Sequence, residues 1–122
     1  MTKTILMVDD SPSVRQVVGL TLKSAGYNVL EAADGSEALT KALANKVHAV
    51  VTDLNMPVMD GLTFIRKYRA APASTGVPIV FLTTESSAAV KEQAKQAGAT
   101  GWMVKPFQPD QLLAVVRKVA GA

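Results

Sequence analysis

Short apolar runs rich in β-branched residues alternate five times with longer segments whose apolar residues recur at helical spacing. A period near 3.6 is typical of amphipathic helices, and a short continuous apolar run is typical of a strand that is covered on both faces. The alternation predicts a doubly wound parallel α/β sheet. The predicted strands are residues 4–8, 28–30, 49–52, 78–82 and 101–104.

Polar and conformationally special residues mark the ends of the predicted helices. Ser11 followed by Pro12 is typical of an N-cap and first helical position, and Pro109 is expected to open the last helix. Gly26 and Gly98 follow helical patterns, where a glycine commonly ends a helix. His48 stands alone before the third strand, and we expect it to be structural.

Polar residues follow four of the five predicted strands: Asp9 and Asp10 after the first, Asp53 after the third, Thr83 after the fourth and Lys105 after the fifth. In an open parallel sheet, ligands bind outside the carboxyl ends of the strands, where the strand order reverses. If the order is 2-1-3-4-5, these side chains converge on one crevice. The sequence therefore predicts a functional site at this edge.

Three carboxylates in one crevice repel one another unless a cation joins them. Oxygen ligands without nearby His or Cys favour Mg²⁺, for which Mn²⁺ can substitute, over zinc. A loosely held Mg²⁺ keeps positions open for phosphoryl oxygens, and Lys105 and Thr83 could serve the remaining ones. Asp53, central among these groups, is placed to be a nucleophile that forms an aspartyl phosphate.

Length and composition set the class of protein. The chain has 122 residues with 13 Lys+Arg, 10 Asp+Glu, a net charge of +3 and no Cys. We expect a single domain over residues 1–122, without disulfides or an output domain, in the cytoplasm. The basic residues are dispersed rather than interleaved with aromatic residues, which argues against a nucleic-acid partner.

The order and spacing of the polar segments resemble the receiver domain of two-component response regulators over essentially the whole chain. Within that family the sequence is most similar to single-domain chemotaxis regulators of the CheY type. The segments that carry the resemblance are Val-Asp-Asp-Ser at 8–11, Thr-Asp-Leu-Asn-Met-Pro-Val-Met-Asp-Gly at 52–61, Leu-Thr-Thr at 82–84 and Val-Lys-Pro-Phe at 104–107, with Gly-Trp-Met before the last. The resemblance implies a flavodoxin-like (βα)5 fold with the strand order 2-1-3-4-5.

The resemblance also assigns roles to the site residues. It implies that Asp53 is the phosphoacceptor and that Mg²⁺ is bound directly by Asp10, Asp53 and the backbone carbonyl of Asn55, with Asp9 acting through water. It implies that Lys105 contacts the phosphoryl group and that Thr83 moves towards it after transfer. Two more implied features lie nearby: Asn55 and Glu85 tune hydrolysis of the acyl phosphate, and the peptide bond before Pro106 is cis.

Two residues depart from the pattern of the family. Trp102 stands where a Tyr or Phe usually acts as a rotamer switch, so its larger ring is expected either to sample a restricted set of rotamers or to be a fixed lid. Thr84 stands where a smaller residue often leaves an opening to the site, and it is expected to slow small phosphodonors and hydrolysis.

The resemblance implies a protein that signals through partners and has no separate turnover substrate. The implied partners are a CheA-like sensor histidine kinase, a downstream protein such as a flagellar motor switch protein, and a phosphatase, with no membrane insertion and a monomeric state. The output face comprises the fourth helix, fifth strand and fifth helix, at 86–98, 101–105 and 109–120. A phosphate sink, a relay intermediate and a regulator of pili or of another chemosensory pathway remain alternatives.

Two functions of other classes fit the sequence less well. An aspartate-dependent Mg²⁺ phosphohydrolase would need a general acid, but Leu54-Asn55 follows the nucleophile with no Asp two positions on. A flavin carrier is disfavoured because the loop after the first strand is acidic and would repel the phosphate of FMN.

Overall fold

The computed structural model of the protein describes residues 2–84, 87–105 and 107–120. Five strands alternate with five helices. The strands are β1 (Thr4–Val8), β2 (Asn28–Ala32), β3 (Ala49–Asp53), β4 (Ile79–Thr83) and β5 (Gly101–Val104). The helices are α1 (Pro12–Ser24), α2 (Gly35–Ala44), α3 (Gly61–Arg69), α4 (Ala88–Ala97) and α5 (Pro109–Ala120).

The strands form one parallel sheet in the order β2-β1-β3-β4-β5, which confirms the predicted fold class and topology. Four strand boundaries, in three of the strands, differ from the prediction. Strand β2 continues to Ala32, which pairs with Val8, and β3 includes Asp53, which pairs with Leu82. Strand β4 begins at Ile79 because Pro78 has no N–H to donate, and it ends at Thr83.

Alternate residues of the central strands enter two hydrophobic cores on opposite faces of the sheet. Leu6 and Phe81 belong to the core under α2, α3 and α4, whereas Met7 and Leu82 belong to the core under α1 and α5. Because β1, β3 and β4 have helices on both faces, they are almost continuously buried, as their apolar sequences predict. The two edge strands are more exposed.

Capping interactions fix where the helices begin and end. The Ser11 side chain accepts the N–H of Val14 at the start of α1, and Asp34 and Asp60 cap α2 and α3 in the same way. Helix α4 ends at Gly98, whose φ of +109° is readily adopted by glycine. The connection between α3 and β4 contains one short 3₁₀ turn at Pro72–Ser74.

The loop between β3 and α3 is held by close backbone contacts at two glycines. Gly35 N–H donates to the Met59 carbonyl at 2.9 Å, and Gly61 N–H donates to the Leu54 carbonyl at 2.9 Å. A Cβ atom would lie 2.5 Å from that Met59 oxygen at Gly35 and 2.2 Å from the Asp53 carbonyl oxygen at Gly61. At the exposed tip of the loop, Val58 has a φ of +68°, which is strained for a β-branched residue.

At the amino ends of the strands, His48 joins the start of β3 to the start of β1, and its backbone N–H donates to the Thr4 carbonyl at 2.8 Å. Its Nδ1 accepts the backbone N–H of Thr4 at 3.0 Å, which fits the expected structural role. Within the described ranges, no helix is long and apolar enough to cross a membrane.

We expect Gly61→Ala to lower the free energy of unfolding by about 1–3 kcal/mol or more, because the new methyl group would overlap the Asp53 carbonyl. Gly19→Ala is the matched control. Gly19 lies inside α1, and the contact nearest to its added methyl group is an ordinary 3.7 Å from Glu31. The control should gain about 0.5–1 kcal/mol from helix propensity. Urea unfolding of both variants checks this, and equal stabilities would contradict the close packing at Gly61.

Candidate phosphoryl-transfer site

The predicted polar residues meet at the carboxyl edge of the sheet. One carboxylate oxygen from each of Asp9, Asp10 and Asp53 lies within 4.8 Å of the others, because β1 and β3 are neighbours and end at the same level. Asp9 is buried and Asp10 is exposed, so the cluster opens to solvent on one side. Lys105 follows β5 and reaches this cluster across the end of β4.

Asp9 and Lys105 form the shortest ion pair in the described part of the chain. Lys105 Nζ lies 2.7 Å from Asp9 Oδ2, and the two side chains are 18% and 1% exposed. The other oxygen, Asp9 Oδ1, accepts the backbone N–H of Ser11 at 2.9 Å. Both oxygens of this buried carboxylate therefore have donors, as a buried charge requires.

Asp53 lies beside this pair and is less fully compensated. Its Oδ1 accepts the N–H of Leu54 at 2.8 Å, and its Oδ2 lies 3.2 Å from Lys105 Nζ. Burial raises the pKa of Asp53; Lys105 opposes that shift, the charge of Asp9 adds to it, and the Leu54 N–H opposes it. The net pKa is above the ordinary 3.8, so a negative charge at Asp53 is costly in the folded protein.

Lys105 remains cationic. Burial alone would lower its pKa, but the hydrogen bond to Asp9 and the charges of Asp53 and Asp9 outweigh burial and raise the pKa above 10.5. The cluster thus contains three carboxylates and one ammonium group, which leaves an excess of negative charge at this edge.

Sequence reasoning missed Arg15. Its Nη1 donates to the backbone carbonyl of Asp9 at 2.6 Å, and its Nε lies 3.6 Å from Glu31 on β2. Arg15 thereby fixes the end of β1 against α1. A cation near a helix N-terminus is unfavourable for the helix dipole, so its position in α1 was a signal that it serves another contact.

The remaining predicted site residues surround the cluster at different depths. Thr83 is buried at the end of β4, while Thr84 and Asn55 are exposed. Trp102 stacks on Phe81, with ring centroids 5.6 Å apart and an angle of 15° between the planes. The tuning role of Glu85 and the cis bond before Pro106 concern residues outside the described ranges.

Lys91 covers Trp102, with its Nζ 5.9 Å from the ring centroid. The indole Nε1 is buried and has no hydrogen-bond partner among the described residues. The ring is therefore packed between Phe81 and Lys91, and whether it changes rotamer stays a prediction.

The donor set fits a hard divalent cation. Asp53 and exposed Asp10 offer carboxylate oxygens, and the buried carboxylate of Asp9 adds a third negative charge within 4.8 Å. The part of the chain that the structure describes brings no His into this cluster. Oxygen-only ligands with an opening to solvent suit Mg²⁺, which keeps several waters.

Asp53→Asn should raise the thermal stability of the metal-free protein at neutral pH. The folded pKa of Asp53 is raised, so its ionisation costs stability above that pKa, and the cost disappears as the pH falls towards 3.8. The gain should accordingly shrink on acidification. Melting curves of wild type and variant in chelator between pH 3.5 and 7.5 check this. A variant less stable than wild type at pH 7 would contradict the electrostatic assignment.

Comparison with known proteins agrees with this geometry. Residues 5–117 match the family model described as "Response regulator receiver domain". The chain is 40% identical over 119 residues to Chemotaxis protein CheY1 of Helicobacter pylori strain J99, covering 96% of each chain. It is 46% identical to the solved structure of Vibrio cholerae chemotaxis protein CheY4 at low pH, with a TM-score of 0.94 over 98% of this chain and 99% of that one.

A third similar structure bears on the metal. The receiver domain of sensor histidine kinase PA1611 from Pseudomonas aeruginosa is 32% identical, with a TM-score of 0.91 and full coverage of both chains, and is described with a magnesium ion coordinated in its active-site cleft. Receiver domains bind Mg²⁺ at an acidic pocket, and this chain has an aspartate cluster at the corresponding edge of its sheet. The matched sequence, the 2-1-3-4-5 sheet and this cluster together show that the chain belongs to the response regulator receiver domain family.

Proposed function

We propose that this protein is a phosphorylation-activated regulator that accepts a phosphoryl group on Asp53. The observation that carries the proposal is the environment of that carboxylate. One oxygen is held by the Leu54 N–H, the other lies 3.2 Å from Lys105, and burial with a second carboxylate nearby makes its negative charge costly. Forming an acyl phosphate removes the charge from the carboxylate oxygen that becomes bonded to phosphorus.

The transfer is a substitution at phosphorus. An Asp53 carboxylate oxygen forms the new O–P bond while the P–N bond of a phosphohistidine on a sensor kinase breaks, and the imidazole nitrogen takes the electron pair. Lys105 neutralises a phosphoryl oxygen in the loose transition state. It can do so because its ammonium group already lies between Asp9 and Asp53.

Mg²⁺, when bound, supplies the remaining charge neutralisation and orients the phosphoryl oxygens. We assign Asp10, Asp53 and the backbone carbonyl of Asn55 as direct ligands, and Asp9 as an acceptor for a metal-bound water. The exposure of Asp10 and the pairing of Asp9 with Lys105 support this division. Mn²⁺ is an expected substitute.

The phosphoryl group changes the carboxyl edge by about −1.5 to −2 charges and adds three acceptor oxygens. Thr83, at the end of β4, is the hydroxyl donor proposed to follow this change. Trp102 of β5 stacks on Phe81, which lies on β4 with Thr83. A movement of Thr83 is therefore proposed to reach the face formed by α4, β5 and α5. We propose that protein partners bind there.

Similarity to the chemotaxis proteins of Helicobacter and Vibrio favours a role in chemotaxis. The proposed partners are a CheA-like histidine kinase, a flagellar motor switch protein and a phosphatase, and the proposed location is the cytoplasm. We propose a monomer that catalyses its own phosphorylation and dephosphorylation and has no separate turnover substrate. A phosphohydrolase of the same nucleophile type would release phosphate repeatedly from a phosphomonoester.

Intact-mass measurement after incubation with acetyl phosphate tests the proposed chemistry. We expect one phosphoryl adduct in wild type with Mg²⁺, and none with chelator or in Asp53→Asn. Asp60→Asn is a matched control, because Asp60 caps α3 outside the acidic cluster and should leave the adduct intact. If acetyl phosphate fails because Thr84 restricts small donors, a phosphorylated histidine kinase should still transfer. An adduct retained in Asp53→Asn would refute the assignment of the acceptor.

Lys105→Met should lower stability without metal and tighten Mg²⁺ binding by about tenfold. The substitution removes the cation that lies 2.7 Å from Asp9 and 3.2 Å from Asp53, so their charges attract a divalent ion more strongly. Lys67→Met, on the exposed side of α3, is the control. The stabilisation produced by graded Mg²⁺ in melting curves gives both affinities. Unchanged Mg²⁺ affinity in Lys105→Met would show that Mg²⁺ binds away from Asp9 and Asp53.

A further inference from the structure

Charge is segregated between the two ends of the sheet. The helices run opposite to the strands, so they begin at the carboxyl edge and end at the amino edge. Acidic residues lie at the starts of α2, α3 and α5, and basic residues lie in the last turns of all five helices. The basic residues of the last turns are Lys23, Lys41, Arg66, Lys67, Arg69, Lys95, Arg117 and Lys118. The amino edge is therefore cationic.

Two adjoining cavities open at this amino edge, on the side of β2 and β3. The first has a volume of about 470 Å³ and lies between the start of β2, the end of α1 and the α2–β3 connection. The second, of about 440 Å³, lies beside the start of β3. Asn45 and Lys46 line both, and no Asp or Glu is among the described residues of either wall. We call this pair of cavities the amino-edge pocket.

The amino-edge pocket presents hydrogen-bond donors whose charge is not balanced locally. Lys23 and Lys46 line it, and neither has an ion-pair partner among the described residues. His48 lines the second cavity; because its Nδ1 accepts the Thr4 N–H, Nε2 carries the proton in the neutral ring. Tyr27, in the wall of the first cavity, is 8% exposed, and its hydroxyl has no partner within the described chain.

Compensation of helix dipoles does not account for this arrangement. A lysine in the last turn of a helix interacts favourably with the free carbonyls there, which suffices for Lys23. Lys46 lies beyond the C-cap Asn45 of α2, in the connection to β3, and is exposed between the two cavities. A cation at that position suits a ligand that reaches both cavities.

We propose that the amino-edge pocket binds a small, multiply charged phosphate compound, with Lys46 as the central contact and Lys23 and His48 on either side. Each cavity alone has the volume of a small-ligand site. The absence of wall carboxylates selects for anions, and the distribution of donors over two cavities selects for more than one anionic group. This site is distinct from the Asp53 chemistry, which lies at the opposite edge of the sheet.

Inorganic triphosphate is the probe, titrated into ¹⁵N-labelled full-length protein in Mg²⁺-free buffer. We expect saturable amide shifts confined to residues that line the amino-edge pocket. Lys46→Glu should weaken the affinity by about tenfold. Lys67→Glu makes the same charge change on α3 outside both cavities and should alter the affinity less than twofold. Both lysines are exposed, so neither variant should impair folding.

Equal losses in the two variants would show general attraction to a cationic protein and overturn the proposal. Shifts scattered over all helix ends, or no saturation, would overturn it too. The Asp53→Asn variant distinguishes triphosphate binding at the amino-edge pocket from the proposed phosphorylation. It should abolish the phosphoryl adduct yet leave triphosphate binding unchanged, so each site can fail independently of the other.

Discussion

The carboxylate of Asp9 is buried at the end of β1, where an unpaired charge is costly, so it needs a cationic partner. Lys105 supplies that cation from β5, two strands beyond β3, and the same ammonium group lies beside Asp53. One ion pair therefore links the first and last strands of the fold. The order of the strands and the position of Lys105 directly after β5 place this ammonium group beside the two carboxylates.

Hydrophobic pattern alone predicted the sheet well because most of its strands are covered on both faces. The apolar runs of β1 and β4 end one residue before burial does, and the buried polar residues that follow them, Asp9 and Thr83, lie at the site. Lys105 was predictable as a site residue because a lysine at the end of an apolar strand needs an anionic partner. The boundary of β2 was less clear, since this edge strand mixes Glu31 with half-buried apolar residues.

Contacts made by backbone atoms were beyond sequence pattern. Arg15 binds a main-chain carbonyl, and any residue at position 9 presents one. Gly35 and Gly61 are needed because backbone oxygens approach them closely, and no periodicity reports such an approach. Val58 contradicts local preference outright, since its positive φ is imposed by a loop that these two glycines hold at both ends.

The helices all run against the strands, so the aspartate cluster and the acids at the starts of α2, α3 and α5 lie at one edge and the last-turn bases lie at the other. This separation of charge gives the molecule a permanent electric dipole along the strand direction. A phosphodonor is itself an anion, so until a divalent cation is bound it must approach the aspartate cluster against a repulsive field. The opposite edge attracts the same molecule. Added salt would consequently speed anionic encounters at one end of this protein and slow them at the other, even though its net charge is only +3.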